Sequence, residues 1–216
     1  MDVSYILDDL NDAQRQAVTS EAKKLLVLAG AGSGKTKVLV HRIAWLIKAL
    51  SSSTHSILSV TFTNKAANEM TGRIEAILDQ PIPEMWCGTF HSISNRLLRR
   101  HYKEAGLEKD FNILDSDDQL RIIKRNLKDL DIDEDQWPPE KVRWQINNWK
   151  DEALRPKDVD DKGDFNLETL KRIYTYYESY MQKENLIDFA ELILRSYELV
   201  RDCLLYTSDA ADDCRC

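Results

Sequence analysis

The spacing of apolar positions changes character once along this chain, and the change predicts two architectures in succession. Lys24–Ala29 (KLLVLA) is a short continuous apolar run, the pattern of a strand buried on both faces of a parallel sheet. Leu39, Ile43, Leu46, Ile47 and Leu50 follow at i, i+4, i+7, i+8 and i+11, which predicts one buried face of a helix. Ile57–Phe62 (ILSVTF) predicts a second strand. Ala67, Met70, Ile74, Ile77 and Leu78 share the face of another helix, and Met85–Thr89 predicts a third strand. Ahead of all these, Asn11 or Asp12 is placed to cap a short helix ending near Val18. Strands alternating with helices imply βαβ units and a parallel sheet over residues 1–90.

From about Phe90 to Asp202 the period is helical, with Phe111–Leu114 as the one strand candidate. Asp115 or Ser116 is placed to cap a helix carrying Leu120, Ile123, Leu127 and Leu130. Val142, Ile146 and Trp149 mark a second helix. Leu170, Ile173, Tyr174, Tyr177 and Met181 mark a third, and Phe189, Leu192, Ile193 and Leu199 a fourth. Arg155–Asp164 reads as a polar loop, and Trp137, Trp144 and Trp149 as packing residues. Residues 91–202 are therefore expected to form a separate, mostly helical domain. The tail, 203–216 (CLLYTSDAADDCRC), fits neither pattern, holds three of the four cysteines, and is expected to be foreign to the rest.

Composition narrows the class. At 43% hydrophobic and 31% charged residues, with 7 Gly and 5 Pro, the chain has enough apolar material for a core and is not of disordered type. No apolar run approaches the ~18 residues a membrane span needs, and the acidic first ten residues lack the basic start of a signal peptide. A cytoplasmic protein is expected. The cysteines lack the paired spacing of a zinc site. The net charge of −7 means that any contact with nucleic acid must come from local patches, not from the total.

The strongest chemical signal is Ala29-Gly30-Ala31-Gly32-Ser33-Gly34-Lys35-Thr36. A phosphate-binding loop needs glycines so that successive backbone N–H groups turn inward, and a helix beginning there so that its positive end faces the anion. It needs a Lys for the β and γ phosphates and a hydroxyl for Mg²⁺. Lys35 and Thr36 fill these roles, and Ala29 stands where the strict pattern has Gly. Gln14 carries an amide able to read an adenine edge. Phe62 and Phe90 lie at strand ends beside polar residues, where an aromatic ring either packs in the core or stacks on an unpaired base. Arg96, Arg99, Arg100 and Lys103 share one helical face, which is either a solvated basic surface or a contact for a DNA backbone.

Taken in order, Leu10–Ala17 (LNDAQRQA), the loop 29–36, Thr61–Met70 (TFTNKAANEM) and Gly88–Ser92 (GTFHS) resemble the Q motif and motifs I, Ia and Ib of UvrD/Rep-type superfamily 1 DNA helicases. Leu186–Leu192 (LIDFAEL) is also similar to a segment of that family, and the resemblance runs from about Ser4 to Val200. It implies an α/β fold: an incomplete P-loop (RecA-like) parallel-sheet domain followed by a mostly helical inserted domain. It implies ATP and Mg²⁺ as cofactors. Lys35 and Thr36 would be catalytic, with Thr36 on Mg²⁺, while Gln14, residues Ala29, Gly30, Ala31, Gly32, Ser33 and Gly34, and Arg42 would hold the nucleotide. Thr61, Phe62, Asn64, Thr89, Phe90 and His91 would face single-stranded DNA. The implied activity is ATP-dependent 3′→5′ unwinding or translocation on single strands and single/double-strand junctions, in repair or replication, near the nucleoid. The family's Asp-Glu Mg²⁺ motif and its arginines are not recognised after Thr36. The fragment itself is thus expected to be inactive, with an open sheet edge prone to association. Two other readings stand beside this one: a non-catalytic nucleotide- or DNA-binding module, and a P-loop kinase or small NTPase. The order of the four motifs argues against the last.

Overall fold

The computed structural model describes residues 3–207, with side chains through residue 202. The chain divides into two compact units between Ile93 and Ser94.

The first unit begins with α1 (Asp12–Thr19), α2 (Lys35–Lys48) and β1 (Leu58–Thr61), followed by α3 (Asn64–Leu78) and β2 (Trp86–Thr89). It ends in the first turn of α4 (Phe90–Arg100). Asn11 starts α1 with a reciprocal cap. Its side chain accepts from the Gln14 N–H at 2.9 Å, and the Gln14 side chain accepts from the Asn11 N–H at 3.2 Å. β1 and β2 pair in parallel with α3 as their crossover, in a register running from Leu58↔Trp86 to Thr61↔Thr89. Ile6, Val40, Ile43, Ala44, Met70, Ile74, Leu78, Ile82 and Met85 form the core.

Two expectations fail in this unit. Lys24–Ala29 forms no strand among the described residues, and Leu25, Leu26, Val27 and Leu28 are 48%, 80%, 41% and 84% exposed. A strand needs a neighbour's N–H and C=O ladder, and the ladder of β1 is made with β2. The apolar run therefore lacks the partner that would bury it. Helix α2 does form, but it buries Val40, Ile43 and Ala44 while Leu39 and Leu50 stay exposed. This helix is apolar nearly all round, so periodicity alone selects no face, and packing against α1 and α3 selects it.

The second unit holds β3 (Asn112–Ile113), α5 (Ser116–Asp129), α6 (Pro139–Asp151), α7 (Phe165–Lys183), β4 (Leu186–Ile187) and α8 (Phe189–Thr207). The Asp115 carboxylate caps α5, accepting from the Asp117 and Asp118 N–H groups. Asp164 caps α7 in the same way. Ile123, Leu127, Val142, Ile146, Ile173, Tyr174 and Tyr177 fill the core, and the Trp149 ring stacks on Tyr174 at 5.7 Å between centroids. Trp144 does not pack as expected and is 65% exposed, because it sits on the face of α6 opposite Val142, Ile146 and Trp149. β4 pairs in parallel with β3 and is too short to show a sequence period. Helix α8 continues to Thr207, across the boundary drawn after Asp202, so no break separates 203–207 from the helical unit. The rest of the tail, 208–216, lies outside the described residues.

Arg155, expected in a polar loop, instead points inward. Its guanidinium meets Glu178 at 2.7 Å, Glu191 at 2.8 Å and Glu198 at 2.6 Å. Lys150, whose side chain is fully buried, meets Asp188 and Glu178 at 2.8 Å and Glu191 at 2.9 Å. Asp188 also accepts from the Tyr177 hydroxyl at 2.7 Å and the Gln119 amide at 3.2 Å. Burial opposes the charge on Lys150, but the three carboxylates prevail and raise its pKa well above the usual lysine range. A charged cluster thus sits among the helices, with its two cations shared among the buried carboxylates.

Candidate nucleotide and nucleic-acid site

The phosphate-type loop stands between the exposed run and α2. Gly32 (φ 76°) and Gly34 (φ 84°) adopt left-handed backbone, which a side chain would strain. A Cβ on Gly34 would also come within 2.9 Å of Gln14 Nε2. Gln14 Nε2 donates to the Ser33 carbonyl at 3.1 Å, so the residue expected at the nucleotide is tied to the loop from α1. The Ser33 hydroxyl closes the turn by donating to the Gly30 carbonyl at 2.7 Å. Lys35 Nζ donates to the carbonyls of Ala29 at 2.9 Å and Gly30 at 2.6 Å.

Helix α2 starts at Lys35 with Gly34 as its N-cap and no side-chain cap, leaving its first N–H groups for an anion. The Thr36 side chain is exposed and has no partner among the described residues. These features fit a triphosphate with Mg²⁺: turned glycines, a bare helix start, an ammonium and a free hydroxyl. Arg42 is held by the Val18 carbonyl at 2.6 Å and lines, with Lys35, Leu25 and Val27, a cavity of about 270 Å³ beside the loop. That placement serves a structural tie between α1 and α2 and still puts its guanidinium near the loop.

The other set of residues gathers at the ends of β1 and β2. The register pairs Thr61 with Thr89, so Phe62 and Phe90 each follow the last paired residue of adjacent strands. Phe62 is 98% exposed and Phe90 is 62% exposed, which removes the core-packing reading for both. Asn64 and His91 are also exposed, at the starts of α3 and α4. Thr63, which the sequence did not single out, caps α3 by accepting from the Ala66 N–H at 3.1 Å, and its carbonyl takes the Thr61 hydroxyl at 3.0 Å. At the second strand end the Thr89 N–H donates to Ser92 Oγ at 2.8 Å and the Ser92 N–H donates to Thr89 Oγ1 at 3.2 Å. Gly88 is required there, since a Cβ would lie 2.4 Å from Ser92 Oγ. The strings TFTN and GTFH are thus both strand-to-helix turns with an exposed phenylalanine, Phe62 ahead of the α3 cap and Phe90 at the first position of α4.

Nothing in the described residues forms a cluster of three metal-ligating side chains, and His91 has no such company. Of the basic face, Arg99 is committed to structure, stacking 3.6 Å from the centre of the Phe111 ring and donating to the Lys109 carbonyl at 3.1 Å.

A glycine-turned loop at a helix start and aromatic residues at two neighbouring strand ends lie in one α/β unit, and residues 10–215 match the UvrD/REP helicase N-terminal domain. The chain belongs to that family. It is 53% identical over 199 residues to DNA helicase II of Escherichia coli K12, a match covering 92% of this chain and 28% of the relative. DNA helicase II of Haemophilus influenzae is also 53% identical, over 203 residues, with the same shares covered. ATP-dependent DNA helicase PcrA of Bacillus subtilis is 38% identical over 197 residues, covering 91% of this chain and 27% of the relative. The chain therefore spans a little over a quarter of the length of these relatives. The family match reaches residue 215 and so runs through the tail that the sequence pattern set apart.

Proposed function

We propose that this chain is the N-terminal ATP- and single-strand-binding portion of an ATP-dependent DNA helicase or translocase of 3′→5′ polarity. The first unit is read as part of a RecA-like domain and the second as a helical domain inserted into it. The observation that carries the reading is the register Thr61↔Thr89, after which each of two neighbouring strands is followed by an exposed phenylalanine, in the unit that holds the phosphate-type loop.

Gln14 would meet the adenine, the backbone of residues 29–34 and Lys35 the phosphates, Thr36 the Mg²⁺, and Arg42 the nucleotide side of the loop. Mg²⁺ would supply charge neutralisation at the β and γ phosphates. To receive them, Lys35 must exchange its two carbonyl partners for phosphate oxygens, a charge-assisted gain. Phe62 and Phe90 would stack on successive bases whatever their identity, with Thr61, Asn64, Thr89 and His91 on phosphates or base edges. Single strands and single/double-strand junctions are the proposed substrates, repair or replication the setting, and the cytoplasm at the nucleoid the place; no described helix is long and apolar enough to cross a membrane.

A second reading, a binding module without turnover, draws on the exposed Leu25–Leu28 run, since a loop carried by an unpaired segment outside any strand is less firmly held than one at a sheet's centre. One titration tests the main reading. A labelled single strand should bind the chain, and Phe62→Ala with Phe90→Ala should abolish most of that affinity while circular dichroism stays unchanged. Equal affinity of variant and wild type would overturn it.

A further inference from the structure

The second unit carries a recess of about 650 Å³ away from the phosphate-type loop and the strand-end motifs. One wall is the strap after α4, contributing Tyr102, Lys103 and Lys109. The other is the end of α7 and the turn into β4, contributing Gln182 and Asn185, with Arg195 of α8 at the base. We propose that this recess binds the phosphodiester backbone of a nucleic-acid strand, as a second contact separate from Phe62 and Phe90.

The strap is a built wall. Arg195 Nη1 donates to the Ala105 carbonyl at 2.8 Å, and Arg195 Nε is held by Glu191 at 2.5 Å, inside the buried charged cluster. Arg99 anchors the far end of the strap through the Lys109 carbonyl and the Phe111 ring. Gly106, at φ 66°, makes the bend between these anchors. Lys103 and Lys109 therefore project from fixed backbone, which lowers the ordering cost of binding.

Both ammoniums are exposed, and neither has a carboxylate partner; the contact of Lys103 is with the Tyr102 ring, 5.9 Å from its centre. Glu108 stands at the rim and pairs with neither. Residues 96–110 hold five Lys or Arg against three carboxylates, a local excess of two positive charges in a chain of net charge −7. Gln182 and Asn185 add amides that can donate to phosphate or sugar oxygens. Two unpaired cations on a concave, hydrogen-bonding wall match an extended polyanion, and phosphate contacts fix position without reading sequence.

This inference rests on the nucleic-acid reading above, and its test separates the two. A fluorescein-labelled oligo(dT) is titrated with the 216-residue chain by anisotropy at several salt concentrations. Lys103→Glu with Lys109→Glu should weaken binding about ten-fold or more and make the slope of log affinity against log salt shallower by about 1.4, the value for two single-strand phosphates. Lys103→Arg with Lys109→Arg should keep both affinity and slope, as should Lys124→Glu with Lys162→Glu, an equal charge change elsewhere on the unit. If the recess variant binds like this control, the inference fails, while weakening by Phe62→Ala in the same series leaves the main reading standing. Dependence on Lys103 and Lys109 for dTMP or inorganic phosphate but not for the strand would also overturn it. Absence of strand binding by the wild type overturns both.

Discussion

Lys35 Nζ lies 2.6 Å from the carbonyl oxygen of Gly30, so the ammonium of the phosphate-type loop is folded onto the loop that it would serve. The bond keeps the cation partnered in the free state and holds it over the concavity that a phosphate would fill. Lys35→Ala removes both the anchor and the charge. ATP affinity should fall below detection by calorimetry, with the far-ultraviolet circular dichroism unchanged because Lys35 is exposed. Equal heats for variant and wild type would show that the loop does not bind phosphate.

Phe62 offers a cleaner separation of function from stability than most aromatic residues, because at 98% exposure it has almost no core to lose. Phe62→Ala should cost about 1–3 kcal/mol of single-strand affinity, the usual worth of one stacked base. Its melting temperature should match the wild type. A lowered melting temperature with full DNA affinity would mean that the ring supports the fold.

Gly88→Ala tests the strand-to-helix turn beneath Phe90. The added Cβ forces Ser92 Oγ, 2.4 Å away, to leave its bond with the Thr89 N–H. A loss of about 1–2 kcal/mol is expected from the forfeited hydrogen bonds, together with weaker single-strand binding. Denaturant melts and the anisotropy titration read the two effects separately.

The 216-residue chain is expected to bind ATP without DNA-stimulated turnover. Among the described residues, the side chains that bond to the loop are those of Gln14, Ser33 and Lys35, none of them acidic. Positioning alone leaves most of the barrier, since an arginine on the transition state is worth ~10³–10⁵ in rate. Steady-state ATPase assays with and without single strands decide this. Stimulated turnover lost in Lys35→Ala would refute it.

Lys150→Met leaves Asp188, Glu191 and Glu178 buried without their shared cation, and about 3–5 kcal/mol of stability should go. The pH dependence has two opposing parts. Burial pushes the Glu191 carboxyl up, but Lys150, Arg155 and Arg195 outweigh it and hold its pKa far below the usual range. Its stabilising contribution is therefore complete above the ordinary glutamate pKa and is lost as the pH falls toward the depressed value. For Glu178, burial prevails over Lys150 and raises its pKa, so its effect on stability is unfavourable as the pH climbs past the ordinary value. Glu191→Gln should thus be strongly destabilising at neutral pH and less so in acid, while Glu178→Gln should flatten the loss on the neutral side. Urea melts across the acid range measure both.

Local chemistry made much of this protein legible before any packing was known. Asn11 and Asp115 cap helices because their short side chains reach N–H groups two or three residues on, an interaction confined to one turn. The loop 29–36 and the strings around Phe62 and Phe90 announce themselves because glycine, lysine and aromatic residues act through local backbone geometry. Tertiary structure decided what depends on a partner distant in sequence. Lys24–Ala29 has the composition of a strand, yet strands are made by neighbours, and no described strand pairs with it. Trp144 looks like its two companions, but only its angular position on α6 puts it outside. Arg155 reads as part of a polar loop and nothing local marks Lys150, because the carboxylates that draw them inward come from α7, from Asp188 just ahead of α8 and from α8 itself, between 23 and 43 residues away. Hydrogen-bond reach along one turn is written in the order of residues, whereas strand pairing and charge burial arise only when the folded chain brings its remote parts together.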